Sequence, residues 1–210
     1  EVFDGSYQGA NNFIELGFWP GGDRDGNPFV NAETTLFVAK SLRTSIITCY
    51  YRDVRKLKRK LTFPQVDVLV NELEAKLFEN VFRPDQATPI ASAEILEQLE
   101  QIRQLVQASN YSLYLPALES FIHKVRLFGT HFAFLDIRQD SRIHHQVLED
   151  IHLTLRKKTG TGLFPSNYSK LSVSEQIALL ETLEGNLDPS DFSEPLTRDT
   201  IETFYAIKKV

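Results

Sequence analysis

His131-Phe132-Ala133-Phe134-Leu135-Asp136-Ile137 is short, aromatic-rich and alternating, the two-residue period of a β-strand. Phe132, Phe134, Asp136 and Arg138 fall on one face, and Ala133, Leu135 and Ile137 on the other. One other stretch reads the same way: Phe13-Ile14-Glu15-Leu16-Gly17-Phe18-Trp19. There Glu15, Gly17 and Trp19 share a face, opposite Ile14, Leu16 and Phe18. Each stretch leads through a charged loop into a helical pattern. More than a hundred mostly helical residues separate 13–19 from 131–137, too many for a hairpin. The expectation is two parallel strands joined by a long helical crossover, Trp19 and Arg138 emerging at the same C-terminal end. The aliphatic faces are expected to pack on helices. The other faces turn charged toward their C-terminal ends, as active-site faces do in a (β/α)8 barrel.

The rest of the chain has helical spacing. Residues 31–60 place Leu36, Ala39, Leu42, Ile46, Cys49, Tyr50, Val54 and Leu57 on one stripe, with Asn31 as N-cap. Pro64 suits the first turn of a second helix reaching about Phe82. Ser92 caps a third, Pro116 opens a fourth ending near Gly129, and Ser141 caps a fifth carrying Ile143, Val147, Ile151 and Leu155. Ser172-Val173-Ser174-Glu175 is a capping-box pattern, and a last helix starts near Thr197. Segments 83–91, 159–170 and 184–196 carry the turn residues of loops.

Composition narrows the function classes. The chain has 210 residues, 42% of them hydrophobic and 24% charged, as ordinary globular domains have. A net charge of −5 argues against a nucleic-acid partner, which needs a basic surface. The apolar runs fall short of a membrane span, and the first residues lack the pattern of a signal peptide. The single cysteine, Cys49, sits in an apolar helical stretch; the expectation is a buried, inert thiol in a reducing compartment. No methionine occurs anywhere, and Ala206-Ile207-Lys208-Lys209-Val210 stops in mid-pattern, so residues 1–210 are expected to be one internal fragment of a longer protein.

Two constellations could carry chemistry. In Trp19-Pro20-Gly21-Gly22-Asp23-Arg24-Asp25-Gly26-Asn27-Pro28, glycines permit close backbone approach, and the alternating Asp and Arg side chains can pair to hold the loop rigid. Composition alone also allows a plain turn-rich connection. A calcium loop fails, because Pro28 and Thr34 stand where that pattern needs Gly and Glu. In Leu135-Asp136-Ile137-Arg138-Gln139-Asp140-Ser141, an arginine at a strand end ahead of a helix N-terminus suits an anion. An Asp136–Arg138 ion pair with no ligand fits the same residues.

The first of these motifs, taken from Phe18, closely resembles a signature segment of the phosphoenolpyruvate carboxylase family. Phe128-Gly129 followed by Leu135-Asp136-Ile137-Arg138-Gln139 resembles a second, and order and spacing agree. Phe18, Asp140 and Arg142-Ile143 depart from the usual pattern, which suggests a divergent bacterial branch and leaves the roles of Asp140 and Arg142 open. The resemblance implies part of a (β/α)8-barrel wall surrounded by long helices, in a cytoplasmic lyase of carbon dioxide fixation that feeds oxaloacetate to the tricarboxylic acid cycle. It implies phosphoenolpyruvate and bicarbonate as substrates, Mg²⁺ or Mn²⁺ held by carboxylates outside residues 1–210, and a homo-oligomer, by family a tetramer. Arg138 matches an arginine on the phosphoryl group, and Trp19 the wall of a hydrophobic pocket. Gly21, Gly22, Asp23, Arg24, Asp25, Gly26, Asn27, Asp136 and Gln139 become the supporting loop. The family's catalytic histidine motif, mobile loop and metal carboxylates match nothing here, so the catalytic set is incomplete and the isolated chain is expected to be inactive. A helical ligand-binding or interaction module of barrel ancestry, without catalysis, is the alternative.

Other candidates read blandly. His145, Glu149 and His152 have a spacing metals can use, but they lie opposite the apolar stripe and read as a solvated face, and no metal ligands are assigned. His123 and His131 stand alone and read as structural. Arg52–Lys60, with six Lys or Arg in nine residues, reads as a solvated helix end, with an anion or subunit patch as the minor alternative.

Overall fold

A computed structural model describes residues 14–27, 29–109, 112–165 and 167–210. Phe13 and Pro28 of the readings above lie outside the described residues. The described chain is mostly helical, with two short parallel strands, β1 (Gly17–Phe18) and β2 (Phe134–Leu135), paired in one sheet. The helices are α1 (Ala32–Lys58), α2 (Val66–Phe82), α3 (Ser92–Ser109), α4 (Leu115–Phe128), α5 (Ser141–Thr159), α6 (Val173–Glu181) and α7 (Pro195–Lys209). A barrel needs a closed ring of strands, and among the described residues two are present.

The strands are shorter than 13–19 and 131–137. Pro20 has no N–H to donate, and a tight turn begins at Trp19, whose carbonyl accepts from the amides of Gly22 (3.0 Å) and Asp23 (3.1 Å). The ladder therefore cannot run on past Phe18. Residues 132–138 keep the expected alternation, with Phe132, Phe134, Asp136 and Arg138 exposed and the residues between them half-buried. The first stretch does not: Ile14 is 51% and Leu16 38% exposed, so the expected packing of its aliphatic face on helices is not found.

Two compact units emerge among the described residues, one made of residues 14–18 with Ala39–Phe134, the other of Trp19–Val38 with Leu135–Val210. The core of the first is a helical stack in which α3 packs on both α2 and α4. Leu73, Leu77, Leu99, Ile102, Leu118 and Ile122 fill it, none more than 3% exposed. Tyr50 of α1 lies edge-on to Phe121 with ring centroids 5.6 Å apart, and its hydroxyl donates to the carbonyl of Gly129 at 2.8 Å. Burial, with Cys49 second, pushes its phenol well above the ordinary range. Cys49 itself is exposed, contrary to the sequence reading. One residue along a helix is a turn of about 100°, which carries position 49 off the stripe centred on Ile46, Tyr50 and Val54.

The ends of the helices follow from local chemistry. Pro116 lies in the first turn of α4, and Gly129 closes it with φ of 54° and an N–H to Val125. The second helix begins at Val66, two residues after Pro64, because Gln65 takes a φ of 72° that no helix interior allows. Asp140, not Ser141, caps α5, accepting from the amide of Arg142 at 2.8 Å. Ser172 and Glu175 form the expected capping box on α6. In α7, Pro195 opens the helix two residues before Thr197. The basic run meets acid: Arg55 and Lys58 pair with Glu74, and Lys56 and Lys124 with Asp53. Burial alone would raise the Asp53 carboxyl, but the hydrogen bonds from Lys124 and Lys56 outweigh it and hold the group below its usual range. In the second unit Val147 and Ile151 of α5 pack with Ile201 of α7 and with Phe192, which precedes that helix.

Candidate functional site

The loop from Trp19 to Asn27 and the segment Asp136–Gln139 both lie in the second unit. They are stitched together by backbone. The amide of Arg138 donates to the carbonyl of Gly22 at 2.9 Å, and the carbonyl of Arg138 accepts from Arg24 at 2.9 Å, a parallel bridge centred on Asp23 and Arg138. Gly22 makes this possible, since a Cβ there would run into the carbonyl oxygen of Asp136. Gly21 holds a φ of 84°, and its carbonyl accepts from Thr35 Oγ1 of α1 at 2.8 Å. Trp19 precedes this stitch as Asp136 precedes Arg138, so both chain segments run the same way through the site.

The side chains sort into held and open. Arg138 presents a guanidinium that is 66% exposed, with Asp23 Oδ2 3.9 Å from its Nη1. That distance and exposure make a weak pair, worth at most about 1 kcal/mol, so the donors remain available to an anion. Its partner is Asp23 rather than the Asp136 of the alternative reading. The other Asp23 oxygen, Oδ1, is buried without a hydrogen-bond partner. Trp19 is 62% exposed. Asp136 is exposed as well, beside the stitched backbone. Gln139 turns back, its Oε1 accepting from the amide of Asp140 at 3.0 Å.

Arg24 behaves differently from its neighbours. It is 8% exposed and donates to Asp199 Oδ2 and Thr203 Oγ1, both on α7. The expected pairing within the Asp-Arg-Asp run is therefore replaced by one to a distant helix. A buried guanidinium requires a carboxylate, and Asp23 is drawn instead toward Arg138. Asp25, Gly26 and Asn27 form an exposed turn, in which Asn27 Oδ1 accepts from the amide of Phe29 at 3.1 Å. Asp140 bonds the side chain of Arg142, and those hydrogen bonds hold its carboxyl below the usual range.

Sequence reasoning missed Asp199 and Thr203. A signal was present: Thr197, Thr200 and Thr203 recur every three residues and all three are buried, a polar stripe on the inner face of a helix. His152 is structural rather than a solvated residue, since its ring stacks on Phe164 and its Nδ1 accepts from the Phe164 amide at 3.0 Å. Among the described residues no three His, Cys, Asp or Glu side chains come together to hold a metal ion. No helix among them is long and apolar enough to cross a membrane.

The sequence model of the phosphoenolpyruvate carboxylase family matches residues 1–88 and 74–210, and the chain belongs to that family. It is 29% identical to the phosphoenolpyruvate carboxylase of Aeromonas hydrophila over 90% of this chain and 24% of that protein. To that of Nitrosomonas eutropha it is 29% identical, over 67% of this chain and 19% of that protein. To that of Thermosynechococcus vestitus it is 25% identical over the whole chain and 26% of that protein. This last match runs over 268 aligned positions against 210 residues here, so that relative carries segments this chain lacks. The chain spans about a quarter of the length of the first and third relatives and a fifth of the second.

Proposed function

We propose that the protein containing this chain carboxylates phosphoenolpyruvate with bicarbonate, giving oxaloacetate and phosphate, and that Trp19–Asn27 with Asp136–Gln139 forms one section of its substrate pocket. Family membership supports the reaction. The single observation that carries the site is Arg138: its backbone is fixed on both sides by the glycine-rich loop, while its guanidinium stays open.

In this reading a bicarbonate oxygen attacks phosphorus and the bond from phosphorus to the enol oxygen breaks. The products are carboxyphosphate and the enolate of pyruvate. Carboxyphosphate releases carbon dioxide and phosphate, and the enolate carbon adds to carbon dioxide. Arg138 would face the phosphoryl oxygens and stabilise the charge they carry during transfer. Trp19 would wall the pocket and keep water from protonating the enolate. A divalent metal, Mg²⁺ or Mn²⁺, is the family's cofactor; the described residues offer no site for it, and its ligands would come from other parts of the protein. The two strands would then be neighbours in a (β/α)8 barrel completed elsewhere. A cytoplasmic homo-oligomer, by family a tetramer, in the supply of oxaloacetate to the tricarboxylic acid cycle completes the proposal.

Arg138→Ala in the full-length enzyme tests it. The loss of one charge-assisted contact in the transition state is about 3 kcal/mol, roughly a hundredfold in kcat/KM for phosphoenolpyruvate. Arg138→Lys keeps the charge but not the planar fork, and recovers part of it. An unchanged kcat/KM in Arg138→Ala would remove Arg138 from the phosphate site.

A further inference from the structure

Asp199 stands far from the loop in sequence and is close to it in space. Its Oδ2 takes a hydrogen bond from Arg24, 175 residues earlier, and its Oδ1 takes the amide of Ala32, the first residue of α1, at 3.1 Å. The free amides at a helix start carry partial positive charge, so the carboxylate meets cationic character on both oxygens. Thr203, one turn later on α7, accepts from the same guanidinium and donates to the Asp199 carbonyl at 2.8 Å. Asn31 caps α1 in addition, its Oδ1 accepting from Thr34 at 2.9 Å, so Asp199 is a second hold on that helix end rather than its only cap.

We infer that Asp199 is a positioning residue for the phosphate-binding arginine. It fixes Arg24, and Arg24 is the residue whose amide bonds the carbonyl of Arg138. The chain of holds runs from Asp199 to the Arg24 side chain, along one residue of backbone, and across a 2.9 Å hydrogen bond to Arg138. Without Asp199 the Arg24 guanidinium would be nearly buried with its charge uncompensated, and it would leave for water. The loop would then lose its anchor on α7, and Arg138 the neighbour that sets its carbonyl. The inference rests on the phosphate role proposed for Arg138.

A double-mutant cycle in the full-length enzyme tests it. Asp199→Ala, Arg138→Ala and the double variant are compared by kcat/KM for phosphoenolpyruvate, with KM and kcat separated. Asp199→Ala alone is expected to lower kcat/KM about tenfold, mainly through KM, and about twofold or less once Arg138 is already alanine. A simple loss of stability would cost the same factor in both backgrounds, and that result overturns the inference. No loss in Asp199→Ala overturns it also. If Arg138→Ala has no effect, the phosphate reading falls and this one with it; if only Arg138→Ala has an effect, the phosphate reading stands and Asp199 is not its support. Asp199→Asn, which keeps the size and one acceptor oxygen, replaces Asp199→Ala in the same cycle should the alanine variant fail to fold, with the same pattern expected and the same outcomes decisive.

Discussion

Gly22 passes the carbonyl of Asp136 so closely that no side chain fits between them. The position lies between the turn at Trp19 and the bridge from Asp23 to Arg138, so a methyl group there forces the two segments apart at the site itself. Gly22→Ala is expected to destabilise the second unit by about 1–3 kcal/mol, as overpacking against backbone does. Gly26→Ala, where nothing lies within 4 Å but φ is 70°, costs about 1–2 kcal/mol through conformation alone. Urea unfolding of the two variants checks this. In the full-length enzyme Gly22→Ala alone is expected to raise KM for phosphoenolpyruvate as well.

Leu99 is fully buried in the first unit, among side chains that cannot close over a gap. Leu99→Ala is expected to cost about 2–5 kcal/mol, the transfer of the lost atoms plus the cavity left behind. Val68→Ala, at a residue of the same unit that is 53% exposed, gives a contrasting value below about 1 kcal/mol. Equal midpoints in denaturant for the two would show that Leu99 does not occupy the core position described.

His131 carries a pH dependence. Burial, and secondarily the charge of Arg43, holds its imidazole below the ordinary value of 6.5. The unfolded chain therefore binds a proton at a higher pH than the folded one. The stabilising contribution is fully present above pH 6.5 and is lost as the pH falls through the lower folded value. Between about pH 7.5 and about pH 5.5 the wild type is expected to lose more stability than His131→Gln, which has no proton to take up. Parallel curves would exclude the imidazole as the source.

The isolated chain is expected to form no oxaloacetate from phosphoenolpyruvate and bicarbonate. It spans about a quarter of the Aeromonas hydrophila relative, and its described residues hold no metal cluster. Coupling oxaloacetate to NADH oxidation, with Mg²⁺ or Mn²⁺ added, measures it. Metal-dependent turnover above background would contradict this.

Helices were legible because their stripes repeat over several turns and their ends carry Pro, Gly or a capping pair, as at Pro116, Gly129 and Ser172. The strands were legible as extended segments but not in length, because the turn after Phe18 limits how far they pair. Cys49 shares the spacing of the apolar stripe yet is exposed, because spacing alone does not fix which edge of a stripe meets solvent. The exposure of Arg138 follows from the strand alternation of 132–138, whereas the exposed Trp19 sits in a turn that the alternation of 13–19 did not show. Asp199 could not be matched to Arg24: the threonine stripe marks the inner face of its helix, but pairing across 175 residues leaves no local pattern that names the partner.

The hold on Arg24 also sets an order of events during synthesis. At 5–20 residues per second, a ribosome needs roughly 10–35 s to travel from Arg24 to Asp199. Contacts within the first unit are largely between neighbouring helices, α2 with α3 and α3 with α4, and can form while the chain is still growing. The glycine-rich loop is made before all of these, yet its hold on α7 forms only once Asp199 has been made. Until Asp199 exists the Arg24 guanidinium has no α7 carboxylate to pair with, and a segment built of Gly, Asp and Asn offers little apolar surface to associate prematurely.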